Sequence, residues 1–325
     1  MQIALKYKEK HVTLVWSFFV MSLMLLIGCS VEPPPLPSKI GTNVWPGYEP
    51  LYLARERGRL DEKEYQLIEY HSASEVIRAF RNGSLDMAAL TMDEVLVLLQ
   101  NNVSLKVVLV MDISAGGDVI MAKPGIQQFN DLKGKRIAVE SSAVGAYVVT
   151  RALELNEMAL DDVEIKNISP SAHEDAYKNG VVDAVVTFEP MRTRLLNAGA
   201  HEVFSSRQIP GEIVDVLVVR ESYLAQQPER IKKLINTWFD TLDFMQQQRK
   251  EAMAVIAKRL LLEPAKAEAL YYGLTLPSRV ENQRLLGGPS SALAETIGKL
   301  ESTMLKRKLL QRDVDVSQLL SAGML

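Results

Sequence analysis

A repeat at an offset of 97 residues constrains this 325-residue chain more than any other feature. Asn82-Gly83-Ser84-Leu85-Asp86-Met87-Ala88-Ala89-Leu90 lies against Asn179-Gly180-Val181-Val182-Asp183-Ala184-Val185-Val186-Thr187. In both copies an amphipathic helical pattern precedes Asn-Gly, a pair that tolerates the left-handed conformation at a helix C-cap. An apolar run then leads to Thr91-Met92-Asp93 in one copy and Phe188-Glu189-Pro190 in the other. Two similar α/β lobes are expected, each delivering a strand end to a shared crevice, because ligands of open α/β sheets bind beyond the carboxyl ends of strands. The competing explanation is that helix-to-strand turns recruit Asn-Gly and Asp by propensity alone.

From Lys39 onward, short apolar runs alternate with helical periodicity, which argues for α/β units with parallel strands. Strands are expected at 40–44, 65–70, 87–90, 106–111, 119–123, 136–139, 164–168, 184–187 and 214–220. Three intervening helices carry an S/T-x-x-E capping box: Ser72 with Glu75, Thr91 with Glu94, and Ser171 with Glu174. After Val219 the pattern turns to long helices at 228–247, 251–262, 264–272 and 290–308, with Pro228 and Pro264 fitting the first helical position. The second lobe then reads as an insertion: 119–212 within a first lobe made of 39–118 and 213–325. Crossings near 114–119 and 211–216 would form a hinge, since two short segments can absorb the backbone change when lobes close.

The first 28 residues have the layout of an export signal. Lys6, Lys8 and Lys10 precede an uncharged stretch, Val12 to Ile27, long enough for a signal core and short for a membrane span. It ends in Leu26-Ile27-Gly28-Cys29, which resembles the bacterial lipobox and implies cleavage before Cys29 and lipidation of it. The alternative is an uncleaved anchor in which Cys29 is an ordinary apolar residue. Either way the body is expected outside the cytoplasm, in the periplasm or at the cell surface. Ser30, after the cysteine, is not the aspartate that marks inner-membrane retention in Gram-negative cells. Cys29 is the only cysteine, so stability must come from the core rather than a disulfide. Cleavage would remove three lysines and Glu9 from 37 basic and 40 acidic residues, leaving a formal charge of −5 and making nucleic acid an unfit partner. Residues 29–38, with Pro33, Pro34, Pro35 and Pro37, read as a semi-rigid spacer.

At Asn43-Val44-Trp45-Pro46-Gly47-Tyr48-Glu49-Pro50-Leu51-Tyr52-Leu53-Ala54 the sequence resembles the opening of ABC-transporter substrate-binding proteins of the nitrate/sulfonate/taurine (NitT/TauT, SsuA-like) type. The resemblance continues through Gly83–Ala88, Ser114–Lys123, Asp131–Glu140 and Gly180–Ala184, in the family's order. It implies a type II periplasmic-binding-protein fold, with two α/β lobes around a ligand cleft and a two-strand hinge. It also implies delivery of a small polar solute to an ABC permease by a monomeric binder.

Candidate ligand-binding residues follow from their places at strand ends. Trp45 and Tyr48, after the first strand, offer aromatic cover over a ligand; as a bland alternative, Trp45 only packs the lobe surface. Thr91 ends a repeat strand. Ser141 and Ser142 precede a helix and could receive an anionic group, or simply cap that helix. Asp93, Asp118, Glu140, Glu189 and Asp215 cluster at strand ends or crossings, with Arg192 and Arg194 the nearest basic residues. Burying an unpaired carboxylate costs several kcal/mol, against roughly −8 kcal/mol for a micromolar binder. A closed cleft holding Asp118 or Glu189 therefore favours a cationic or hydrogen-bond-donating ligand, such as an amine, amidine or aminopyrimidine-like molecule, unless these acids are solvated rims, hinge contacts or paired by a protein cation.

An enzyme is disfavoured. Beyond residue 28 only His71, His173 and His201 remain, at no metal-ligand spacing, and neither a phosphate loop nor a dinucleotide fingerprint is present. No metal and no cofactor is expected. A sensory role, in which the liganded form engages a membrane signalling protein, uses the same closure physics and stays open beside transport.

Overall fold

The computed structural model describes residues 36–287 and 291–325. Cys29, the signal-like segment, residues 29–35 of the spacer and the expected helix start at Ser290 lie outside the described residues. The strands are β1 (Ser38–Asn43), β2 (Tyr65–Tyr70), β3 (Met87–Thr91), β4 (Leu105–Ser114), β5 (Asp118–Ala122), β6 (Arg136–Val139), β7 (Glu164–Asn167), β8 (Ala184–Phe188), β9 (His201–Ser205), β10 (Val214–Arg220) and β11 (Leu274–Thr275). The helices are α1 (Glu49–Glu56), α2 (Ala73–Arg81), α3 (Met92–Gln100), α4 (Val144–Leu155), α5 (His173–Lys178), α6 (Met191–Asn197), α7 (Glu221–Gln226), α8 (Pro228–Gln247), α9 (Arg249–Arg259), α10 (Pro264–Leu270), α11 (Arg279–Leu286) and α12 (Ala292–Lys306). Among the described residues no helix is long and apolar enough to cross a membrane.

Two sheets form, in the orders β11-β4-β10-β3-β1-β2 and β7-β6-β8-β5-β9. They repeat one plan once β6, β7, β8, β5 and β9 are set against β1, β2, β3, β10 and β4. The offset of 97 extends to strand register. Ile40 pairs with Met87 and Gly41 with Ala88 in the first sheet; Ile137 pairs with Ala184 and Ala138 with Val185 in the second. Likewise Asp215 faces Thr91, and Asp118 faces Phe188. Turn propensity acts on a few residues and does not set register across four strands, so the repeat is architectural.

The expectation of parallel strands needs correction. Parallel pairing joins β1 to β2 and β3, and β6 to β7 and β8, whereas β10 and β5 run antiparallel to both their neighbours. Connectivity is the reason: each of these two strands arrives straight from the other sheet, without the helical crossover that returns a chain for parallel pairing. The Ser171–Glu174 capping box is also not formed. Pro170 starts a 3-10 turn, Pro170–Ala172, and α5 begins at His173 with Ala172 before it. β9, β11, α7 and α11 are additional elements that apolar periodicity does not mark.

β3 and β5 are buried along their whole length. Alternate side chains feed different cores: Ala88 and Leu90 pack with Val76, Phe80 and Leu96, while Met87 and Ala89 pack with Leu51, Leu234 and Trp238. Three residues, Ala115-Gly116-Gly117, carry the chain from β4 to β5, and 206–213 return it from β9 to β10. The crossings are tied together: Ser114 Oγ lies 2.9 Å from Ser206 Oγ, and the Gly116 amide donates to Ser206 Oγ at 2.6 Å. A third segment joins them, as the Ala115 amide donates to the Gly273 carbonyl at 2.8 Å.

Candidate functional site

The site grows from the strand ends that face the crevice. β1 stops at Asn43, and Pro46 then opens a 3-10 turn, Pro46–Tyr48, that leads into α1. Gly47 is required there: a Cβ on it would stand 1.8 Å from Asp112 Oδ2 and 2.5 Å from Trp45 Nε1, so the turn lies directly on that carboxylate. Trp45 donates from Nε1 to Asp112 Oδ2 at 3.0 Å and meets Phe188 of the opposite sheet edge-on, with centroids 5.6 Å apart at 88°. Tyr48 donates its hydroxyl to Asp215 Oδ1 at 2.5 Å.

Strand register brings the acids together. Asp112 on β4 faces Asp215 on β10, and Asp215 faces Thr91 on β3, so two carboxyls and a hydroxyl form one row across the first sheet. Asp118 and Phe188 form the corresponding row of the second sheet. Asp112, Asp118 and Asp215 are at most 4 % exposed. Asp112 Oδ1, Asp118 Oδ2 and Asp215 Oδ2 lack a donor among the described residues, and the Asp112 and Asp215 carboxyls lie within hydrogen-bonding reach of each other. Trp45, Tyr48, Thr91, Glu94, Asp118 and Asp215 all line a cavity of about 20 Å³, together with Asn43, Val144 and Phe188. That volume holds roughly one water molecule, so the two sheets are in a closed arrangement.

Burial is the leading cause of the electrostatics. It pushes Asp112 up to about 8, with the Asp118 charge adding to it. It pushes Asp118 up to about 7, assisted by the charge of Asp93, and Asp93 itself up to about 6. Asp215 is held well above the carboxylate range by burial and then by Asp112. Glu94 is likewise raised, by burial and then by Asp93. Every charge that raises Asp118 or Asp215 is another carboxylate, Asp93 for the former and Asp112, Asp118 and Glu94 for the latter.

Of the residues singled out from the sequence, the structure gathers Trp45, Tyr48, Thr91, Asp118 and Asp215 around this cavity. Ser141 and Ser142 sit outside its lining. Ser141 is exposed with its amide on Asn167 Oδ1, and Ser142 Oγ meets Ser74 Oγ at 2.6 Å on the rim between lobes. Beside them the Ser74 amide donates to Glu140 Oε1 at 2.8 Å. Glu189 is buried but satisfied: it accepts from the Thr193 amide and hydroxyl at 3.1 Å each and pairs with Arg192 at 3.3 Å. It thus caps α6, and a protein cation answers its charge. Sequence reasoning missed Asp112, Glu94 and Phe188. The signal for Asp112 is the one acidic residue inside Leu105-Lys106-Val107-Val108-Leu109-Val110-Met111-Asp112-Ile113, and Phe188 is the repeat partner of Thr91. Glu94 reads from sequence only as a cap; in the structure it also crosses to the other lobe, with Oε1 accepting from the Val144 amide at 3.2 Å. Among the described residues no group of three His, Cys, Asp or Glu converges as a metal set.

This arrangement has known parallels. A Brucella abortus (strain 2308) protein described as a binding protein is 24% identical over 315 residues, 89% of this chain and 94% of that one. The taurine-binding periplasmic protein of Escherichia coli (strain K12) is 26% identical over 175 residues, 53% of this chain and 54% of that one. The alkanesulfonate-binding protein SsuA of Xanthomonas axonopodis pv. citri, solved with MOPS bound, superposes with a TM-score of 0.74 at 17% identity, over 90% of this chain and 99% of that one. The fold is accordingly the type II periplasmic-binding-protein fold, two α/β lobes around a ligand cleft. The NMT1-like family model matches residues 32–261, and the chain belongs to the NMT1-like family.

Proposed function

We propose that the chain is an extracytoplasmic solute-binding protein, not an enzyme, whose lobes 39–118 plus 213–325 and 119–212 close on a small cationic or hydrogen-bond-donating molecule and deliver it to an ABC importer. One observation carries the ligand class: Asp118 and Asp215, both buried and lining the closed cleft beside Trp45 and Phe188, each keep an oxygen without a donor among the described residues. A buried ionised carboxylate is tolerated when a cation with N–H donors reaches it. An aromatic pair at its side adds cation–π attraction and covers a flat ligand. Amines, amidines and aminopyrimidine-like molecules meet these demands. Trp45, Tyr48, Thr91, Asp118 and Asp215 are the proposed ligand contacts, with Ser141, Ser142 and Glu189 supporting the cleft rim and α6. The binding-protein names of the relatives support solute capture, and import by a monomer in preference to sensing is part of the proposal.

Export through the segment ending at Gly28 and lipidation of Cys29 complete the reading. The lipid and the proline spacer keep the binder at a high effective concentration near its membrane partner. The expected test is a melting-temperature panel. Strong stabilisation by an amine, amidine or aminopyrimidine supports the proposal; stabilisation by nitrate or an alkanesulfonate, with none by any amine, refutes the ligand class. Incorporation of labelled fatty acid that disappears in Cys29→Ser checks the anchor.

A further inference from the structure

We infer that Glu94 is a specificity-determining residue: a tethered carboxylate held at the N-terminus of α4, in the place a ligand anion would take, so that the cleft rejects sulfonates and carboxylates and admits head groups that carry N–H donors. This rests on the solute-binding reading and deepens it. α4 is 12 residues long and starts at Val144, whose predecessor Ala143 has no side chain that can cap the free amides. Such a terminus concentrates unpaired N–H donors and the positive end of the helix dipole, and attracts anions. Here those amides are taken by a carboxyl group of the protein itself, from the other lobe. Glu94 is 2 % exposed; Oε1 accepts from the Val144 amide at 3.2 Å and Oε2 from the Thr91 amide at 3.0 Å, so both oxygens are fixed when the lobes are closed.

The other polar groups at the cavity point the same way. Asp118 Oδ2 and Asp215 Oδ2 are free and, when ionised, can only accept hydrogen bonds. A sulfonate entering here would meet Glu94, Asp118 and Asp215 without an amide left at Val144 to receive it. A quaternary ammonium would bring charge but no N–H for these oxygens. An amidinium or primary ammonium brings both.

The experiment uses the full-length chain in detergent, titrated calorimetrically with benzamidine and with methanesulfonate at pH 7.5, as wild type and as Glu94→Gln. Wild type is expected to bind benzamidine and to give no heat with about 10 mM methanesulfonate. Glu94→Gln, which retains one oxygen and replaces the other with an N–H donor, is expected to gain methanesulfonate affinity by about tenfold or more, over one decade of dissociation constant. Equal methanesulfonate affinity in the two proteins overturns the inference. Failure of wild type to bind benzamidine or any amine counts instead against the cationic-ligand reading and leaves the methanesulfonate comparison to decide Glu94. Should Glu94→Gln lack a cooperative melt, the Val144 amide resonance of wild type decides. A resonance unmoved by methanesulfonate is expected; one that titrates with it overturns the inference.

Discussion

Closure of the cleft without ligand should weaken as pH rises, and Asp118 sets a measurable share of that effect. Its carboxyl moves from 3.8 to about 7 in the closed structure, chiefly because burial strips its water and secondarily because Asp93 lies near. When the lobes part, the carboxyl regains solvent. A rise of this size corresponds to roughly 4 kcal/mol of preference of the closed form for the protonated group. Below about pH 4 the group is protonated in both forms and closure keeps that stabilisation in full. As pH climbs toward about 7 the open form ionises while the closed form stays protonated, and above about 7 the whole amount is lost, about three decades in the closed-to-open ratio. Asp112 and Asp215 are raised as well, so the clean quantity is the difference between wild type and Asp118→Asn. Asparagine keeps the shape and removes the titration. Small-angle scattering of the ligand-free proteins at pH 5 and pH 8 should show wild type expanding at pH 8 and Asp118→Asn expanding less, with a residue left by Asp112 and Asp215. Superimposable pH curves for the two proteins would refute the reasoning.

Further substitutions test the supports of the site. Trp45→Phe keeps an aromatic edge for Phe188 but deletes the donor to buried Asp112; a loss of about 1–3 kcal/mol in urea unfolding is expected, and Trp45→Ala should lose more. Gly47→Ala places a methyl 1.8 Å from Asp112 Oδ2, so the turn or the carboxylate must move; benzamidine affinity should fall and the melting temperature drop, and an unchanged titration would contradict the packing. Arg259→Met strips Glu49, fully buried, of its bidentate partner and should destabilise by about 3–5 kcal/mol, whereas Arg259→Met with Glu49→Gln should recover most of that, as read from a double-mutant cycle.

What the sequence reveals here depends on how locally each feature is encoded. β2, β6, β10 and α8 follow from apolar runs bounded by turn residues or from Pro228 at a helix start, and their expected limits coincide with the structure. The insertion topology is legible because the 97-residue repeat marks two lobes. β9 is not: of His201-Glu202-Val203-Phe204-Ser205 only two residues are apolar, and pairing with β5 makes it a strand. Antiparallel pairing of β5 and β10 is likewise a property of connectivity, which periodicity does not record. In the site, Trp45, Tyr48, Thr91, Asp118 and Asp215 could be named because strand ends face clefts, but Asp112 becomes a partner of Asp215 only through β4–β10 register, a long-range fact. Glu94 carries a strong local explanation as a cap, and that explanation conceals its second contact to Val144.

The repeat also gives the acids a mechanical meaning. Asp118 and Asp215 occupy equivalent positions, each near the start of the strand that has just crossed from the other sheet, so each belongs to its own half of the cleft. With the lobes apart, the two carboxyls are separated and hydrated, and their charges are inexpensive. Closing the lobes removes that water and sets Asp118 near Asp112 and Asp215, both of which its charge pushes upward. A ligand shifts a conformational equilibrium only by its differential affinity for the two states. A cation with N–H donors has that difference built in, since it neutralises in the closed form a repulsion absent from the open one. Neutral solutes of the same shape would leave the repulsion standing, and anions would add to it. On the proposed ligand class, the duplicated aspartates make closure conditional on the charge of what has entered, using side chains that need no contact with one another when the lobes are open.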